Sequence, residues 1–88
     1  MYRITPYSYR RAALLGVEIR PSSHQNKKID VFQHGKKIAS IGAMGYKDYP
    51  TYLKCRGRTY ADERRRQYHR RHAKDHGLAG FYAKNILW

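Results

Sequence analysis

The stretch KIDVFQHGKKIASIG, residues 28–42, limits the fold more than any other part of the chain. His34-Gly35 sits between two runs rich in β-branched and apolar residues. A two-residue hairpin turn needs positive φ, and glycine adopts it without a steric penalty. The register this turn imposes sets Val31 opposite Ile38, and Phe32 opposite Lys37 on the other face. Ile38 and Ile41 are three residues apart and cannot share a face of a regular strand, so a bulge is expected near Ser40. Upstream, Leu15, Val17 and Ile19 alternate with Gly16, Glu18 and Arg20, the period of a half-buried strand. Pro21 then opens the polar loop PSSHQNKK. The prediction is a three-stranded antiparallel meander.

Helical signals follow the sheet. Gly42 and Gly45 close the strand region, Asp48 is a candidate N-cap, and Pro50 suits a first helical turn. Tyr46, Tyr49 and Tyr52 recur every three residues before Gly57 breaks the chain. In TYADERRRQYHRRHAKDH (59–76), Thr59 and Asp62 match a capping box and Gly77 supplies a stop, which predicts a helix over the whole stretch. Residues 80–88 predict a second, shorter helix whose Phe81, Ile86, Leu87 and Trp88 pack on the sheet. At about ten residues it would not persist without that packing. Residues 1–13, MYRITPYSYRRAA, show neither period and are expected to be an extended Tyr/Arg-rich arm. The fold class is therefore α+β: a small three-stranded meander, a basic helix and a short C-terminal helix, forming one domain over 14–88.

Leu, Ile, Val and Phe number 15 among 88 residues, and the formal net charge is +13. So few large apolar residues of these types on so charged a chain approach the composition of disordered segments. Nine Tyr and one Trp oppose that tendency, since each buries a large area. The balance points to a small fold that leans on a partner. Residues 1–58 carry twelve Lys/Arg against three acids, while 59–76 carry six against three. The basicity thus covers the chain rather than one helix, and its counterpart must be anionic: nucleic acid, anionic lipid or acidic protein. Ala12 to Val17 is too short for a signal-peptide core, and no stretch reaches the about 20 apolar residues of a membrane span. The single Cys55 excludes an internal disulfide.

On a helical wheel Asp62, Arg66, Arg70 and Lys74 form one stripe, with Arg64 and Arg71 on the neighbouring row. Ala61, Arg65, Tyr68 and His72 make the face with apolar content, so a narrow docking edge is expected. The stripe offers contacts to phosphate or to a partner's carboxylates, and Arg10 and Arg11 of the N-terminal arm join it. The plain alternative is a solvated face of i,i+4 pairs. Tyr46, Tyr49, Tyr68, His72, Phe81, Leu87 and Trp88 are the expected docking and core residues. His69, His72 and His76 share a helix face, with Cys55 a conceivable fourth ligand. Yet Arg65, Arg66 and Arg70 beside them oppose a cation, and no metal or other cofactor is expected. No nucleophile motif, phosphate loop, zinc finger or RNA-recognition signature is present, so neither an enzyme, a small-molecule substrate nor sequence-specific reading is expected.

Three segments carry a resemblance. GYKDYP (45–50), ADERRRQYHRRHAKD (61–75) and AGFYAKNILW (79–88) resemble a family of small basic, Tyr-rich proteins of large nucleocytoplasmic DNA viruses. The matching positions are Gly45, Tyr46, Asp48 and Tyr49; then Tyr68, Arg71 and His72; then Gly80, Phe81, Leu87 and Trp88. Pro50 stands where the pattern has Thr. The resemblance brings no activity. It implies viral origin, a place in the virion after assembly in the host cytoplasm or viral factory, and two partner classes: the packaged genome or the acidic inner surface of a capsid shell. The leading expectation is a minor capsid-associated protein acting as a basic adaptor between larger virion proteins. The alternative is a nucleic-acid-binding, genome-condensing protein without sequence specificity.

Overall fold

The computed structural model describes residues 2–75 and 77–88. Helix α1 spans Pro6–Leu15, strands β1, β2 and β3 span Glu18–Pro21, Lys27–Gln33 and Lys36–Ala43, and helices α2, α3 and α4 span Tyr49–Arg56, Arg58–Arg71 and Leu78–Tyr82. A π-helical turn, Ala83–Leu87, continues from α4. The sheet is antiparallel with order β1-β2-β3, the α+β meander that the sequence predicts.

His34 and Gly35 both hold positive φ, 52° and 76°, as a tight hairpin turn requires. Phe32 faces Lys37 as expected, but Val31 faces Ala39, so Ile38 is the extra residue. The bulge therefore lies at Ile38 rather than near Ser40. The shift sets Ile41 opposite Ile29, and both are fully buried. Leu15, read as the first residue of a strand, is instead the last residue of α1, and Gly16 caps that helix in the left-handed region.

The N-terminal arm is not extended. Thr5 caps α1 and its hydroxyl accepts from the Ser8 amide, with Pro6 in the first turn where its missing N–H costs nothing. The buried positions of this helix are Ser8 and Ala12, small residues spaced by four. Ser8 donates to the Ile86 carbonyl at 3.0 Å and the Arg11 guanidinium to the Asn85 carbonyl at 2.8 Å, which ties α1 to the C-terminal turn. The core gathers Ile4, Val17, Ile19, Ile29, Val31 and Ile41 with Tyr82, Ile86 and Leu87. One layer of helix, α1 with the C-terminal segment, covers the sheet.

Helices α2 and α3 form a separate pair. Asp48 caps α2 as predicted, accepting from the Thr51 amide and hydroxyl. The capping box at Thr59 does not form: α3 begins at Arg58 behind Gly57, and Asp62 accepts instead from the Tyr49 hydroxyl at 2.7 Å. The helix also stops earlier than predicted, with His72 as its cap. Lys84 reaches back to donate to the carbonyls of His72 and Asp75. Gly77 opens α4 rather than closing α3.

Candidate anion-binding groove

One buried junction fixes the α2–α3 pair to the sheet. Lys28 and Asp48 are 5% and 1% exposed, and their Nζ and Oδ2 lie 2.9 Å apart. Lys28 also donates to the Tyr46 carbonyl, and the Tyr2 hydroxyl donates to the same Asp48 oxygen at 2.6 Å. Asp48 thus answers four donors while capping a helix. Burial, followed by the hydrogen bond to Asp48, pushes the Tyr2 phenol far above its ordinary range. On the same strand, Asp30 is buried, which alone would raise its pKa. Hydrogen bonds from Ser22, Ser40 and the Ser23 amide, with Lys37 at 3.8 Å, outweigh burial and hold the carboxyl below its usual value. No buried side-chain polar atom among the described residues lacks a partner.

An aromatic ladder makes the second attachment. Trp88 stacks on Tyr68 with ring centroids 4.4 Å apart and planes within 6°, and His72 lies 4.2 Å from the same Tyr68 ring. Tyr52 meets both Trp88 and Tyr60, and the Arg64 and Arg56 guanidinium groups lie over Tyr52 and Tyr60. The narrow docking edge expected at Ala61, Arg65, Tyr68 and His72 is present: Ala61 is fully buried and the other three are half-buried. Burial, then nearby Asp75, raises the Tyr68 phenol pKa. Tyr49 is raised by burial and its bond to Asp62.

Five of the seven predicted contact cations line three concavities among the described residues. A groove of about 580 Å³ runs between β3 and α3 and brings together Arg64, Arg71, Tyr46, Tyr68, His72, Leu87 and Trp88. A cleft of about 640 Å³ takes Arg11 and Arg66, and a third hollow of about 460 Å³ takes Arg10 with Arg3 and Lys54. Arg70 and Lys74 are exposed and line none of them. The predicted Asp62–Arg66–Arg70–Lys74 stripe is broken because α3 ends at Arg71, before Lys74.

Two predicted docking residues depart from expectation. Phe81 does not pack on the sheet but is 45% exposed, and Tyr46 is 75% exposed on the groove rim. Tyr49 is buried, tilted at 51° against Tyr7 with centroids 5.3 Å apart, and covered by Arg65. Sequence reasoning missed the groove cations Lys27 and Lys47, which sit in loop and strand-end positions with no period to mark them, and the Lys28–Asp48–Tyr2 cluster, whose members are far apart in sequence. His76 lies outside the described residues. Among those described, no cluster of His, Cys, Asp and Glu is arranged to hold a metal ion, and His72 pairs with Asp75 at 2.6 Å. Nor is any helix among them long and apolar enough to cross a membrane.

Comparison with known protein families, characterised proteins and solved structures finds no match to this chain.

Proposed function

We propose that this protein is a minor capsid-associated component of a large DNA virus particle, a basic adaptor that joins acidic surfaces of larger virion proteins. One observation carries the reading: cations occupy three concavities on different parts of the surface, lined in turn by Arg64 and Arg71, by Arg11 and Arg66, and by Arg3, Arg10 and Lys54. A dedicated nucleic-acid binder gathers its cations on one face with aromatic faces free to stack. Here Tyr68 is flanked on both sides by Trp88 and His72, and Tyr52 and Tyr49 are committed within the fold. The viral setting rests on the resemblance of residues 45–50, 61–75 and 79–88.

Quantitative mass spectrometry of purified particles of the encoding virus tests the reading. A fixed stoichiometry with the shell proteins is expected; absence from particles, or recovery only with the extracted genome, overturns it.

The +13 charge and the exposed Arg70 and Lys74 favour a second reading, genome condensation. Contact with about six phosphates predicts that log K falls with log salt at a slope of about −5 on duplex DNA. A flat titration removes that reading.

A further inference from the structure

Resting on the adaptor reading, we propose that the groove between β3 and α3 docks an extended acidic segment of a partner protein, laid along the open edge of β3. Lys27, Lys47, Arg64 and Arg71 border the groove. The ion pairs of the described residues involve other cations, so none of these four has an acidic partner there. The one unburied acid on the lining, Asp75, is held by His72 at 2.6 Å. The groove is therefore strongly positive, and four like charges left unpaired around one hollow are relieved by carboxylates or phosphates.

Two features select a peptide over a nucleic acid. The first is the wall formed by Ser40–Ala43, the C-terminal half of a strand that pairs with another strand on one side only. A strand edge alternates N–H donors and C=O acceptors. An extended peptide answers both, whereas a phosphodiester chain answers only donors. The second is the state of the aromatic rings. Tyr68 lies between Trp88 and His72, and Tyr52 lies against Trp88 and Arg64, which leaves the exposed Tyr46 as the one described groove ring with no ring or guanidinium against it, too little for successive bases. Ala79, Gly80 and Ala83, where α4 and the turn after it meet the groove, add no long side chain to its lining.

The test measures fluorescence anisotropy of two labelled probes, an alternating Glu-Val peptide and an oligothymidylate of matched charge. Arg64→Glu with Arg71→Glu is expected to weaken peptide binding about tenfold or more, since each reversal places like charges together. Arg66→Glu with Arg70→Glu makes the same change in net charge outside the groove and is expected to weaken it less than about threefold. Because Arg64 also contacts Tyr52, Lys27→Glu with Lys47→Glu serves as a second groove pair, each protein being checked by circular dichroism. N-methylation of alternate peptide amides is expected to abolish binding in one of its two frames. Equal losses from the groove and outside pairs overturn the groove as the site and leave the adaptor reading standing. Tighter oligothymidylate binding, lost with the Arg64 and Arg71 reversals, overturns both. Failure of the peptide to bind the wild-type protein at low salt also overturns the proposal.

Discussion

Two sets of ion pairs in this small chain stand in contrast. At the junction of β2 and α2, Lys28 and Asp48 are buried, 2.9 Å apart, and surrounded by Tyr2, Thr51 and the Tyr46 carbonyl. Along α3, Arg66 pairs with Glu63 and Arg65 with Asp62, and these groups remain largely or partly in water. The chemistry of the pairs is alike, but their surroundings are not. Removing one partner of a buried pair strands a charge in low dielectric, whereas water and salt replace a lost surface partner. Lys28 therefore belongs to the fold, and Arg66 remains available to a partner, whereas Arg65 also covers the buried Tyr49. For a chain of +13 charge this division matters: it shows which cations can be changed without unfolding the protein.

The largest effect should come from the junction. Asp48→Ala leaves Lys28 buried without its counter-charge and uncaps α2, and it should lower stability by about 3–5 kcal/mol, read from the denaturant midpoint. Lys28→Met with Asp48→Asn should cost less than Asp48→Ala alone, because no charge is stranded and Asn still caps. Equal losses would break the contrast.

Gly42→Ala probes the same junction from the β3 side. Gly42 has φ +80°, and a Cβ there would lie 2.7 Å from Leu87 Cδ1 and 2.9 Å from Lys28 Cδ. Backbone strain and overpacking together should destabilise by about 2 kcal/mol, measured in the same way.

A smaller effect sharpens the contrast by pH. Tyr2, Tyr49 and Tyr68 have folded pKa values above their ordinary 10.0, mainly through burial. A raised folded pKa contributes stability that is fully present below the unfolded value and is lost as pH rises through the folded one. Stability should therefore fall above about pH 10. In an absorbance titration these three of the nine tyrosines should ionise last, Tyr2 latest because the carboxylate it donates to, Asp48, is itself buried, whereas the Asp62 that Tyr49 meets is not. Replacing Tyr2 with Phe should remove that last phase.

The smallest effect belongs to α3. Glu63→Gln removes the partner of an exposed Arg66 and should change stability by no more than about 0.5 kcal/mol. A loss of several times that size would place α3's surface pairs in the same class as Lys28–Asp48.

What the sequence disclosed and what it hid divides along similar lines. The hairpin was legible because His34-Gly35 needs positive φ, and α2 because Asp48 and Pro50 carry their start signal locally. The edge of Tyr68 and His72 was legible from spacing alone. Helix α1 was not, although Thr5-Pro6 is the same kind of start signal. Its inner positions, Ser8 and Ala12, are small or polar, so no apolar period marks them. The capping box at Thr59 misled because Tyr49, from another helix, takes Asp62. The groove itself joins loop, strand and helix residues up to 61 positions apart, Lys27 to Trp88, and no local pattern announces such an assembly.

The most direct measurement is photo-crosslinking in assembled particles from a reactive group placed at position 46, on the exposed rim of the groove. Mass spectrometry of the product should identify an acid-rich segment of another virion protein. Adducts to the packaged nucleic acid, or none to any protein, would contradict the account.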